Sequence, residues 1–245
     1  MDSHCERSMP VSIVIPTLDE ACHLGATLEA VGRIRGEVEV IVADGGSRDE
    51  TVQIARCRGA RVVESVRGRG AQLHAGAIAA RGSVLWFLHA DTLPPADGAE
   101  KILRALRHPC VVGGNFAIVF DGPSRWAGFL TRLYPRLRWL GLRYGDSGIF
   151  VRREAYDHAG GFRPYPIFED LDLIRRLRKL GRFVRLPSTV VTSSRRFEGR
   201  NFAPVFACWS SLQLLYWLGV SPHVLGKYYS SMRRGDRRST RSPGA

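Results

Sequence analysis

Val38-Glu39-Val40-Ile41-Val42-Ala43-Asp44-Gly45-Gly46-Ser47-Arg48-Asp49-Glu50 passes from an apolar, β-branched run to a carboxylate, two glycines and a polar helix start. Ser47 with Glu50 three residues on has the pattern of a capping box, and the glycines permit a tight turn. The same alternation spreads outward from this stretch. Val11–Ile15, Ala60–Glu64 and Val84–His89 are further short apolar runs, and the stretches around Ala21–Ile34, Asp49–Arg58 and Ala71–Arg81 read as helices between them. Buried strands alternating with helices make βαβ units, so the chain is expected to be α/β with a mostly parallel, Rossmann-like central sheet flanked by helices. Such sheets bind ligands at the carboxyl ends of their strands. Polar residues gather at four such ends: Pro16–Glu20, Asp44–Asp49, Arg67–Gly70 and His89–Thr92. Asp44 is open to two readings there, as part of a helix start or as an acceptor for the edge of a nucleotide base.

The second half is less regular. Val111–Phe120 and Ser147–Val151 read as strands. Asp170–Leu180 reads as a helix with Leu171, Ile174, Leu177 and Leu180 on one face. Arg182–Leu186 is a further strand, followed by a polar loop over Thr192–Glu198 and an apolar helix over Phe202–Val220. That last stretch approaches the length of a membrane span. Ser210, Ser211 and Gln213 within it, and Pro204 at its start, favour a helix packed on the protein or lying at a membrane interface. Residues 125–143 interleave arginine with Trp, Phe, Leu and Tyr in a basic amphipathic pattern.

The 245 residues carry a net charge of +13, with lysine only at Lys101, Lys179 and Lys227. A basic surface points to anionic partners. Part of the excess is local, since Arg233, Arg234, Arg237, Arg238 and Arg241 fall in a polar stretch that reads as a disordered tail. No zinc-finger, aromatic-basic or helix-turn-helix signature accompanies the charge, so no nucleic-acid partner is expected. The five cysteines are scattered without metal or redox spacing, and the N-terminus holds no apolar signal core. Reduced thiols in a cytoplasmic protein are therefore expected.

In order along the chain, Pro16-Thr17-Leu18-Asp19-Glu20, Asp44-Gly45-Gly46-Ser47-Arg48-Asp49, Leu88-His89-Ala90-Asp91-Thr92, Gly160-Gly161-Phe162 and Phe168-Glu169-Asp170 resemble the motifs of the family 2 glycosyltransferases, which have the GT-A fold. The likeness runs from about Val11 to Phe197. A narrower resemblance, through Tyr144-Gly145-Asp146-Ser147-Gly148 and Thr192-Ser193-Ser194-Arg195-Arg196-Phe197, is to a small bacterial branch. Its members occur with radical-SAM and selenium- or arsenic-related proteins and are assigned to arsenosugar pathways.

The resemblance implies a division of the chain. Residues 1–9 would be a tail, 10–95 a nucleotide-binding half, 96–200 an acceptor half, 201–229 a C-terminal helical segment, and 230–245 the basic tail. It also implies roles. Pro16, Thr17, Leu18, Glu20, Asp44, Gly45, Ala90 and Asp91 would line the nucleotide-sugar site, with Arg67, Arg69, Arg195 and Arg196 near its diphosphate. Asp91 resembles the last carboxylate of the Asp-X-Asp metal motif. Histidine at position 89 replaces the first, so His89 and Asp91 are the candidate ligands for Mn²⁺ or Mg²⁺. Asp170 of the Glu169–Asp170 pair would be the base that deprotonates the acceptor, and a helix N-terminus favours its ionised form. Tyr144, Asp146 and Phe168 would face the acceptor.

The expected activity is inverting transfer of a sugar from a UDP-sugar, or another nucleotide-sugar, to a small-molecule or lipid-linked acceptor. Two alternatives differ from it. One is a peripheral-membrane transferase acting on polyprenyl phosphate, docked through residues 125–143 and the apolar C-terminal helix. The other is a nucleotide-binding scaffold that has lost activity, a reading supported by His89. The C-terminal helix also offers a surface for a homodimer.

Overall fold

The computed structural model describes residues 11–121, 147–193 and 202–229. Its strands are β1 (Val11–Thr17), β2 (Val38–Asp44), β3 (Arg61–Glu64), β4 (Val84–Phe87), β5 (Thr92–Leu93), β6 (Val111–Asp121), β7 (Ile149–Arg152) and β8 (Arg182–Ser193). The helices are α1 (Ala21–Gly32), α2 (Thr51–Cys57), α3 (Arg69–Ala79), α4 (Gly98–Leu106), α5 (Arg153–His158), α6 (Glu169–Leu180), α7 (Phe202–Trp217) and, over 222–229, α8.

All strands join one eight-stranded sheet in the order β3-β2-β1-β4-β7-β6-β8-β5. β3, β2, β1 and β4 are mutually parallel; β7 pairs antiparallel to both β4 and β6, and β5 pairs antiparallel to β8. The expected mostly parallel α/β sheet is the one observed. The apolar runs are nearly continuous because helices cover both faces. Ile13, Ile15, Val42, Trp86 and Phe150 pack on one side with Leu24 and Leu28 of α1 and Ile102 and Leu106 of α4. The alternate residues Val14, Ile41, Leu85, Phe87 and Val151 pack on the other with Leu73 of α3, Tyr156 of α5 and Leu173, Ile174 and Leu177 of α6. This is the two-residue period of a strand buried on both faces.

Several elements depart from expectation. The expected loop over Thr192–Glu198 is strand as far as Ser193, because β8 does not stop at Leu186. Pro187 lies in a bulge: β6 and β8 pair Asn115 with Arg185 and then Ala117 with Thr189, so the missing N–H interrupts nothing. The capping box does not form. Helix α2 begins at Thr51, and its preceding residue Glu50 makes no side-chain cap. Ser47 instead turns back to Asp44, and Asp49 accepts from the Thr51 N–H at 3.0 Å. Helices α4 and α5 and the short β5 were not anticipated.

The chain crosses from β3 at one edge to β4 on the other side of β1, which makes the β1–β4 boundary a switch point of the sheet. The loops after β1, β2 and β4 emerge at that end. Helices α7 and α8 pack through Leu212 and Leu225 on Ile167 and Phe168, just before α6. No described helix is long and apolar enough to cross a membrane.

Candidate active site

The loop after β1 and the turn after β2 are locked together by side chains. Thr17 and Asp44 sit opposite each other as the last residues of paired strands. Asp44 is 3% exposed and accepts four hydrogen bonds. Thr17 Oγ1 (3.0 Å) and Ser47 Oγ donate to Oδ1, and the N–H groups of Gly46 (2.9 Å) and Ser47 (2.8 Å) donate to Oδ2. Ser47 Oγ also accepts from the Asp19 N–H at 2.9 Å, and the Arg48 N–H donates to Asp19 Oδ1 at 2.7 Å. A carboxylate has about four acceptor positions, so Asp44 in this arrangement builds the turn. The expected bond to a base edge requires one of the two hydroxyls to rotate away.

Burial pushes the Asp44 pKa up, but the hydrogen bonds from Ser47, Thr17 and Gly46 outweigh it and hold the group below the ordinary carboxylate value. The sign of the pH dependence follows. A depressed folded pKa contributes stability that is full above the unfolded value near 3.8 and is lost as pH falls through the folded value. Asp44→Asn is expected to cost about 1–3 kcal/mol at neutral pH. Urea unfolding of both proteins at stepped pH should show the gap closing below the carboxylate range; a gap independent of pH would rule out the ionised form as the source.

Gln72 of α3, absent from the sequence reading, joins these loops from beneath. It is buried, and its Nε2 donates to the carbonyls of Thr17 and, at 3.1 Å, Ala43. A Cβ at Gly45 would stand 2.9 Å from that amide, so any side chain there would push Gln72 off its hydrogen bonds. Arg69 is the first residue of α3, and its guanidinium pairs with Glu169, a carboxylate 1% exposed at the first position of α6. Arg69, expected at the diphosphate, is thus paired with the first residue of α6. Arg67 is exposed two residues earlier.

Arg69, Phe87, Leu88, His89, Phe162, Glu169 and Asp170 line one small, partly open recess, together with Leu73 and Ile149. This recess brings the motif after β4 to the motif that opens α6. Phe162 is aimed into it by the paired glycines before it, both at positive φ (Gly160 +74°, Gly161 +62°), and by its N–H donating to the Tyr156 hydroxyl at 3.1 Å. Asp170 is 6% exposed, and its Oδ1 accepts the Leu171 N–H at 2.8 Å.

Phe168 corrects an expectation. It is 3% exposed and packs against Tyr216 (5.1 Å between ring centroids) and Trp209 (6.4 Å) of α7, so it supports the site from behind and does not line the recess toward an acceptor. Its φ is +64°; among the described residues, Phe168 and Asp19 (φ +55°) are the non-glycine residues with positive φ. For a bulky side chain this conformation is costly and persists only where packing enforces it. The two left-handed residues precede α1 and α6, and of them Phe168 bears the cost, since aspartate adopts this region readily.

On the turn after β4, Leu88 N–H donates to the Val14 carbonyl (3.0 Å), and the Thr27 hydroxyl donates to the carbonyl of buried Ala90 (2.7 Å). These bonds fix His89 and Asp91, both half-buried. Pro16 and Thr17 are buried at the end of β1, Leu18 and Glu20 are half-buried, and the Glu20 N–H donates to Thr51 Oγ1 at 2.8 Å. The expected residues Tyr144, Asp146, Arg195 and Arg196, and the amphipathic stretch 125–143, lie outside the described residues.

The profile described as Glycosyl transferase family 2 matches residues 12–165, which span the β1, β2 and β4 loops. The chain belongs to glycosyl transferase family 2. Relatives agree: a PGL/p-HBAD biosynthesis glycosyltransferase of Mycobacterium tuberculosis is 30% identical over 203 residues, covering 77% of each chain. Glucosyl-3-phosphoglycerate synthase of Mycolicibacterium paratuberculosis is 33% identical over 128 residues, or 42% of this chain and 39% of the relative. Among solved structures, glucosyl-3-phosphoglycerate synthase from Mycobacterium tuberculosis in complex with Mn²⁺, UDP and phosphoglyceric acid superimposes with a TM-score of 0.62. It is 21% identical, covering 87% of this chain and 80% of that one. A mannosyltransferase from Pyrobaculum calidifontis in complex with GDP-Man and Mn²⁺ gives 0.59 at 20% identity, covering 74% and 56%. For this family 2 chain, those structural likenesses establish the GT-A fold expected from its motifs.

Proposed function

We propose that this chain transfers a sugar, with inversion, from a nucleoside diphosphate sugar to a small-molecule acceptor, and that the donor is a UDP-sugar. The observation that carries the reading is the shared recess, in which His89 from the donor motif and Asp170 from the α6 motif line one space at the carboxyl end of the sheet. The interlocked 17–21 and 44–51 loops, fastened by Thr17, Asp44, Ser47 and Gln72, form the wall against which the nucleoside would lie. Pro16, Leu18, Glu20, Gly45 and Ala90 belong to that wall or its rim, and Arg67, Arg195 and Arg196 are the cations assigned to the diphosphate.

In the transfer step, Asp170 takes the proton of the acceptor hydroxyl as its oxygen bonds to the anomeric carbon. The bond from that carbon to the diphosphate breaks on the opposite face, and the nucleoside diphosphate departs with the electron pair. Asp170, fixed by the Leu171 N–H and by the packing of Phe168, is held as an acceptor of protons. Glu169 is occupied by Arg69 and serves to orient the pair. Tyr144 and Asp146 are assigned to the acceptor, and the narrower branch resemblance assigns that acceptor to an arsenosugar pathway.

Negative charge builds on the leaving diphosphate, and a divalent cation, when bound, spreads it. Among the described residues no three His, Cys, Asp or Glu side chains gather as a cage. Mg²⁺ and Mn²⁺ commonly bind through one or two carboxylates together with substrate phosphates and water. Asp91, with His89 beside it, fits an ion that arrives with the diphosphate.

Calorimetric titration of UDP, GDP and dTDP, each with and without Mn²⁺, tests the reading. UDP binding strengthened by Mn²⁺ is expected. No binding by any nucleotide would overturn it, and the nucleotide-binding scaffold with it.

A further inference from the structure

We propose that the outward face of α7, continued by α8, docks this protein on an anionic lipid surface. The inference goes beyond sugar transfer and does not depend on it. Helix α7 is apolar nearly all round, but the protein covers only one side. Leu212 is buried against Phe168, whereas Leu214 (54% exposed), Leu215 (41%) and Leu218 (72%) stand outward, with Trp217 (49%) beside them. Positions 214, 215 and 218 have the spacing of one helical face. Helix α8 repeats the arrangement one turn apart: Leu225 is buried, while Val224 (45%) and Tyr228 (64%) are exposed, four residues apart and hence on one face. Two successive helices with a covered and an uncovered apolar side are built for a second apolar phase.

Charge decides which phase. Exposed Lys227 lies among these residues, and the chain continues directly into Arg233, Arg234, Arg237, Arg238 and Arg241. Apolar side chains followed at once by a basic cluster match an interface with anionic headgroups, where insertion and Coulombic attraction add. A second copy of the chain would bring a further net charge of +13 against the first. Tryptophan and tyrosine at the patch suit the headgroup level, having apolar bodies and polar tips. Helix α7 is not long enough to span, so it would lie in the interface plane. Because its inner face grips Phe168 next to Asp170, docking would set the transfer site close to the lipid surface.

Flotation of the full chain with vesicles tests this. Vesicles of phosphatidylcholine with phosphatidylglycerol should carry the protein upward, and pure phosphatidylcholine should not. Binding should fall when salt rises from 0.1 to 1 M, which shortens the Debye length from about 10 Å to about 3 Å. Leu214→Asp with Leu218→Asp should reduce the bound fraction about tenfold or more. Ile78→Asp, an equally exposed apolar position on α3, should leave it unchanged. Both variants change exposed side chains, and circular dichroism confirms their fold. Three results would overturn the proposal: no flotation with the anionic vesicles, equal flotation of the double variant, or light scattering that shows a wild-type dimer which the double variant dissolves.

Discussion

Asp170→Asn is expected to lower the rate of sugar transfer by about 10²–10⁴-fold, the range associated with losing a general base, while leaving Mn²⁺-dependent UDP binding nearly intact. Asparagine keeps the volume of the side chain and an oxygen for the Leu171 N–H, so α6 should start as before. What it cannot do is accept the acceptor's proton. The loss should therefore fall on kcat, with the donor's KM little changed, the signature of a contribution made in the transition state. The neighbouring carboxylate supplies the contrast. Glu169 is buried and paired with Arg69 across the α3–α6 boundary, so its neutral substitute disturbs a partly buried ion pair and should show first in stability. If Asp170→Asn weakened nucleotide binding as much as turnover, the base would be misassigned and the residue would belong to the donor site.

The parts of this site that were legible in the sequence are those set by local chemistry. The short apolar runs announced β1, β2 and β4, and the polar residues just after them, with the glycines after β2, announced the loops. Glu169–Asp170 was legible as a helix opening for the same reason. What escaped was contact made over distance. Nothing near Gln72 indicates that its amide will reach the carbonyls of Thr17 and Ala43, and Arg69 and Glu169 are a hundred residues apart. Phe168 is the clearest case. Its place in a motif suggested an acceptor contact, but the fold of α7 over it, with Trp209 and Tyr216, turned it into a buried support in a left-handed conformation. The continuation of β8 past Leu186 is likewise a matter of distant contact: only the register of β6 against β8 reveals the bulge that accommodates Pro187. Helix α4 did carry a signal, with Ala99, Ile102 and Leu106 buried at helical spacing and Glu100, Lys101 and Arg104 between them.

Asp91→Ala should remove the increment that Mn²⁺ adds to UDP binding. A contact between a carboxylate and a charged partner contributes about 1.5–3 kcal/mol, so the affinity measured with Mn²⁺ should fall about tenfold to a hundredfold. The affinity measured without the ion should hardly move. The turn that carries Asp91 is secured through the backbone, by the Leu88 N–H on Val14 and by Thr27 on the Ala90 carbonyl, so the substitution removes a ligand and leaves its mounting. His89→Asp is the complementary test. It restores the second carboxylate of the Asp-X-Asp pattern that this chain resembles, and hard cations prefer oxygen to imidazole nitrogen. If the ion reaches the site on the diphosphate and is held there by Asp91, His89→Asp should strengthen the Mn²⁺ increment while Asp91→Ala abolishes it. An increment unchanged in both proteins would place the ion elsewhere, and the turn after β4 would then be a wall of the donor site with no part in metal binding.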